Sequence, residues 1–171
     1  MDLHRKPGRR NHTRRAQAGF SLIELLIVVA VILTLASIAV PNYLSARMAA
    51  NEASAVQSVR TITSAETAYA ATFSNIGYSA NLSDLSEGSS TPCTLAPTQA
   101  CLIDTVLASG TKSGYLFTYV QDTTNTPSSG YKVNGDPLKR GSSGSRSFYT
   151  DQPGVIRYNS TKPAGPNDPV V

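Results

Sequence analysis

The chain has 171 residues, with 15 Lys/Arg against 11 Asp/Glu, two Cys, two His and no Trp. That length holds one modest domain plus accessory segments. The net charge of +4 does not mark a nucleic-acid surface: six cations and Asp2 alone precede Phe20, making that segment +5, while the other 9 basic and 10 acidic residues give −1.

The first element is the basic segment itself. Arg5, Lys6, Arg9, Arg10, Arg14 and Arg15 read as a topogenic region ahead of an apolar run. Leu22 to Val40 follows, 19 residues in which Glu24, Thr34 and Ser37 are the only polar side chains. As a helix it spans about 28 Å, close to the hydrocarbon thickness of a bilayer. Cations before it and only Arg47 close behind place the N-terminus in the cytoplasm and the rest outside. A conventional cleaved signal, with Ser37-Ile38-Ala39 as its small-x-small site, is one reading. An uncleaved anchor is another. Both leave Glu24 unexplained, and a carboxylate inside the span costs about 2–3 kcal/mol on insertion.

The stretch "GFSLIELLIVVAVILTLASIAVPNY" closely resembles the class III signal of type IV prepilins and type II secretion pseudopilins. That pattern is a basic leader ending in Gly, then Phe, then Glu at the fifth mature position and an apolar helix. Gly19, Phe20 and Glu24 occupy those places, and "PNY" from Pro41 fits the usual continuation. The resemblance is specific over about residues 14 to 75 and diffuse beyond. It implies cleavage between Gly19 and Phe20 by a dedicated membrane peptidase and N-methylation of the new Phe20 amine by the same enzyme. It also implies assembly from the inner membrane by an assembly ATPase and a platform membrane protein. Glu24 then pairs with the Phe20 amine of a neighbouring subunit. Neither charge is cheap to desolvate alone, so the pair acts as a register device. Pro41 removes the N–H that would bond the Ser37 carbonyl, which predicts a kink or a melted stretch near Thr34 to Pro41. The Thr34 and Ser37 hydroxyls are candidates to satisfy the freed groups.

Beyond Pro41 the pattern takes a period near 3.6. Met48, Val56, Val59, Ile62, Tyr69 and Phe73 recur at helical spacing, with Asn51, Glu52, Gln57, Ser58, Arg60 and Glu66 on other faces. One nearly continuous helix over 20–73, about 80 Å long, is predicted. Residues 74–113 form a polar connecting region in which "SDL" and "CLIDTVLAS" suggest short helical turns. Cys93 and Cys101 lie there with seven residues between them and no His or further Cys nearby, which argues against zinc. In an exported domain they form a disulfide, stabilising by about 2–3 kcal/mol; otherwise they are two unrelated thiols.

Residues 114–171 carry the strands. In "GYLFTYV", Tyr115, Phe117 and Tyr119 face one way and Leu116, Thr118 and Val120 the other, which predicts a strand buried on both sides or nearly so. "GYKVNGDP" adds a second, with Tyr131 and Val133 inward and Lys132 outward. "RSFYTDQPGVIRYNS" reads as a hairpin about Pro153-Gly154. The tail "STKPAGPNDPVV" is either an edge cover or loose.

The expected architecture is therefore α+β, a pilin fold: a long helix, membrane-spanning to about residue 41, whose outer half packs on an antiparallel sheet of about four strands. Residues 1–19 are a leader to be removed. The expected function is a structural pilin of a type IV pilus. The chain starts in the inner membrane, with its N-terminus cytoplasmic, and ends in a helical homopolymer outside the cell. The alternatives are a pseudopilin of a type II secretion system and a DNA-uptake pilin; for the latter, Lys139, Arg140 and Arg146 are the candidate patch. No Ser/His/Asp or Cys/His set and no glycine-rich phosphate loop appears, and both His precede Phe20, so no enzyme and no cofactor is expected. Neither "VNGDP" nor "TDQPG" offers the clustered oxygens of a calcium site, so no metal is expected either.

Overall fold

The computed structural model describes residues 19–88 and 92–171. The leader expected over 1–19 lies, except for Gly19, outside them. Helix α1 runs Leu22–Thr72 with Pro41 inside it. The chain divides at the Val40/Pro41 junction into two units.

The first unit holds the apolar turns of α1. They are long and apolar enough to cross a membrane, and none of that window is buried within the protein. Leu22, Leu25, Leu26, Val29 and Leu33 all stand exposed.

The second unit contains the sheet. The outer part of α1 is rich in Ala, a strong helix former, and its buried residues Ala55, Val59, Ile62 and Tyr69 recur three and four apart on one face. That face packs with the sheet and connecting segment in one core with Tyr115, Phe117, Tyr131, Val133 and Phe148. Burying each large apolar side chain of this kind stabilises the fold by about 1.5–3 kcal/mol. Gly135 permits the close approach: a Cβ there would lie 3.1 Å from the Phe117 ring and 3.7 Å from Val59.

After α1 come a 3-10 turn at Leu82–Leu85 and helix α2 at Thr105–Ala108, whose N-cap Asp104 accepts the Leu107 N–H at 2.8 Å. Strand β1 is Thr111–Lys112, β2 Tyr115–Gln121, β3 Tyr131–Pro137, β4 Ser147–Asp151 and β5 Arg157–Asn159. They form one antiparallel sheet in chain order. The sheet has five strands where about four are expected. The extra strand, β1, is two residues long and falls inside the segment read as a connection, too short to show alternation.

A second expectation is corrected on β2. Tyr115 and Phe117 are buried, but Leu116 is 44% and Val120 56% exposed, so this strand buries one face. The tail covers the β5 edge. The Tyr158 N–H donates to the Pro169 carbonyl at 2.9 Å and the Val171 N–H to the Ile156 carbonyl at 3.0 Å. Asn134 Nδ2 reaches the Ala164 carbonyl at 2.8 Å, which fixes the tail to β3.

Candidate functional site

The chain is non-helical at Gly19, Phe20 and Ser21 and turns into α1 at Leu22; the Leu25 N–H closes the first turn on the Ser21 carbonyl at 3.2 Å. Phe20 is 78% exposed. A Cβ on Gly19 would touch nothing within 4 Å, and its φ lies outside the left-handed region. Nothing in the fold therefore asks for glycine at this position. A residue type without an intramolecular reason suits recognition by an enzyme at an extended, accessible backbone.

Glu24 sits in the first turn of α1, where the helix dipole favours a negative charge. Among the described residues, no hydrogen bond or ion pair engages it. The turns that follow are apolar and unburied. The site thus combines an open Gly19–Phe20 junction, an unpartnered carboxylate four residues beyond Phe20, and an apolar face without an intramolecular partner.

Residues 14–40 match the prokaryotic N-terminal methylation motif. The chain carries the class III signal of type IV pilins and pseudopilins. That match supports a precursor of the pilin or pseudopilin kind, and the helix-and-sheet architecture is consistent with the pilin fold. This signal is a mark of structural proteins rather than enzymes, and with the apolar helix it fits a membrane-anchored precursor. No curated protein and no solved structure shows significant similarity to the chain.

The other residues singled out in the sequence stand as follows. The backbone stays helical from Thr34 through Pro41 and does not melt. The hydroxyls of Thr34 and Ser37 donate to the Val31 and Thr34 carbonyls, each at 2.8 Å, and not to the Ser37 carbonyl that Pro41 leaves. Cys93 and Cys101 form a disulfide with a Cα–Cα separation of 6.2 Å. Its loop is anchored to the core at two places. Tyr69 Oη donates to the Pro97 carbonyl at 2.8 Å, and the Ala100 and Cys101 N–H groups donate to the Asp84 and Ser86 carbonyls at 2.7 and 3.0 Å.

Two guanidiniums of the candidate DNA patch are already engaged. Arg146 Nε lies 2.7 Å from Glu52 Oε2, and its guanidinium stands over the rings of Phe148 and Tyr158 at 5.7 and 5.5 Å. Arg140 donates to the carbonyls of Ser145 and Ser160 and to Ser147 Oγ. Both act in fastening the β3–β4 loop, which Lys139 joins through its backbone, its N–H donating to Ser143 Oγ at 3.0 Å. No cluster of three His, Cys, Asp or Glu side chains occurs among the described residues.

Two side chains were misread from the sequence. Glu52 and Glu66, assigned to polar faces, are 7% and 0% exposed. Burial pushes the Glu52 carboxyl up, but hydrogen bonds from the Ser145 N–H, the Arg146 side chain and the Arg146 N–H, with the Arg146 charge, bring it below 4.5. Burial also pushes Glu66 up, and there the hydrogen bonds from Ser79 and from the Tyr119 hydroxyl do not reverse it. The available signal was phase: positions 52, 55, 59, 62, 66 and 69 share one helical face, and both glutamates lie on the apolar stripe.

Proposed function

We propose that the chain is the structural subunit of a type IV pilus. The leader is removed between Gly19 and Phe20 by prepilin peptidase, and the Phe20 amine is methylated. Before assembly the subunit is held in the inner membrane by the apolar turns of α1 with its N-terminus in the cytoplasm. A platform protein and an assembly ATPase then drive it into a helical homopolymer. Removing the leader takes away the six cations that hold the chain at the cytoplasmic face.

The observation that carries this reading is the exposed, unpartnered Glu24 on an apolar helix immediately behind an open Gly19–Phe20 junction. Cleavage creates a cationic amine at Phe20. In a filament the amine of one subunit meets Glu24 of another, and only the correct axial register neutralises both charges. Apolar surface leaves lipid for neighbouring helices, so assembly is driven by packing and charge pairing more than by net hydrophobic gain. Pro41, which deletes one helical hydrogen bond, is where α1 gives way first when the subunit is drawn into the filament.

Mass spectrometry of protein sheared from cells, beside the membrane fraction, tests the proposal. A sheared species beginning with N-methylated Phe20 is expected. The same species confined to the membrane fraction would assign the chain to a secretion pseudopilus. A chain beginning at Met1 or Val40 would overturn the reading.

A further inference from the structure

Glu66 is a fully buried carboxylate in the middle of the outer part of α1. It accepts the Ser79 N–H on Oε2 at 3.1 Å, and its Oε1 lies 2.5 Å from Ser79 Oγ. Ser79 is itself fully buried, and its carbonyl accepts the Tyr119 hydroxyl at 2.9 Å. The charged and titratable groups that face Glu66 are Tyr69 on its own helix, Asp84 on the 3-10 turn, Tyr119 on β2 and Tyr131 on β3. All are phenols or an acid, and no cation is among them. Among the described residues an ionised carboxylate here has no counter-charge, a costly arrangement in a low-dielectric interior.

Hydrogen counting points the same way. Ser79 Oγ has two acceptors in reach, Glu66 Oε1 at 2.5 Å and the Asn81 carbonyl at 3.1 Å, but a hydroxyl carries one hydrogen. A proton on Glu66 supplies the missing one. Oε1–H then donates to Ser79 Oγ, the Ser79 hydroxyl donates to the Asn81 carbonyl, and the Ser79 N–H keeps Oε2.

We propose that Glu66 is a proton-operated latch: as the neutral acid it holds Ser79 and the segment to Leu85 onto α1, and on ionising it loosens them. The segment matters because it carries the disulfide loop. The Asp84 carbonyl accepts the Ala100 N–H, and the Leu85 carbonyl accepts those of Leu102 and Ile103. Loosening Ser79 frees the base on which the surface loop closed by Cys93 and Cys101 stands.

The sign follows from burial. The folded-state value of Glu66 is raised above the ordinary 4.5, so the contribution of the latch is whole below 4.5 and is lost as pH rises through the folded value. Opening in that window releases one proton, so local protection falls about tenfold per pH unit across it.

The test uses the full chain in detergent micelles, following the Glu66 carboxyl carbon by NMR and the Ser79 amide by hydrogen exchange, corrected for intrinsic base catalysis. Glu66 is expected to titrate above 4.5, with Ser79 protection falling over the same window. In Glu66→Gln, whose amide reproduces the donor and acceptor of the neutral acid, Ser79 protection is expected to be independent of pH. Titration of Glu66 at or below 4.5 would overturn the proposal, as would flat Ser79 protection in the wild type or an unchanged slope in Glu66→Gln. The wild-type pair of measurements decides the matter even if the variant does not fold.

Discussion

Glu52 and Arg146 meet at 2.7 Å although 94 positions separate them in the chain. The same carboxylate accepts the Ser145 and Arg146 N–H groups on Oε1 at 2.8 and 3.2 Å. One helical side chain thereby holds the whole end of the β3–β4 loop. Asn51 adds a bond to the Ser143 carbonyl at 2.8 Å.

Removing that carboxylate takes a charged acceptor from the Ser145 and Arg146 N–H groups and the counter-charge from the Arg146 guanidinium. Glu52→Ala is expected to destabilise the sheet-bearing unit by about 1–3 kcal/mol. The pH dependence has a definite sign. The folded value of Glu52 is depressed, so its contribution is present above 4.5 and is lost as pH falls through the folded value. Urea unfolding at neutral and acid pH checks this: the wild type should lose stability below 4.5, and the variant should lose less over the same range. Equal acid limbs would show that Glu52 does not carry the effect. Glu66 has the opposite sign, so the contribution of one buried glutamate is lost below 4.5 and that of the other above it.

Gly144 is required by Tyr115. A Cβ at 144 would stand 2.1 Å from the Tyr115 hydroxyl oxygen. The ring cannot yield easily, because it is fully buried and its hydroxyl donates to the Arg146 carbonyl at 2.8 Å. Gly144→Ala should therefore destabilise by about 1–3 kcal/mol through overpacking. Pairing it with Tyr115→Phe, which removes the clashing oxygen, should recover part of the loss in thermal unfolding. Strict additivity of the two changes would rule out the clash as the cause.

The disulfide closes a loop whose other end is already bonded to the 3-10 turn and to Tyr69. Reduction, or Cys93→Ser with Cys101→Ser, is expected to lower stability by about 2–3 kcal/mol in denaturant unfolding. Hydrogen-exchange protection of the Ala100 amide should fall more than that of Val133 in the sheet. A uniform loss across the domain would mean that the staple supports the global fold and not this loop.

Glu24→Val is expected to leave processing at Gly19 intact and to abolish filaments, since the variant cannot answer the Phe20 amine of a neighbour. Replacing Gly19 with a bulky residue should instead leave a membrane-held precursor of full length, because no contact in the fold restricts that position. N-terminal mass spectrometry of membrane and sheared fractions separates the two outcomes. Normal filaments from Glu24→Val would sink the charge-pairing account.

What the sequence determined by itself was local and periodic. The apolar run, the glutamate in it and the Gly-Phe junction ahead of it are read directly, because a bilayer and a signal peptidase see a segment and not a fold. The α1 stripe through Val59, Ile62 and Tyr69 and the alternation of Tyr115 with Phe117 were legible for the same reason: periods of 3.6 and 2 are properties of a single element. The tertiary structure decided everything that needs a partner from afar. Glu52 and Glu66 look like solvated charges until the Ser145–Arg146 loop and Ser79 arrive to supply their hydrogen bonds. Arg140 and Arg146 look free until their acceptors are in place. Strand β1 exists only because β2 offers its edge, and Leu116 and Val120 stay exposed because α1 and the connecting segment cover only the opposite face of β2. Charge and burial depend on which distant groups share a low-dielectric interior, and no pattern along one segment contains that information.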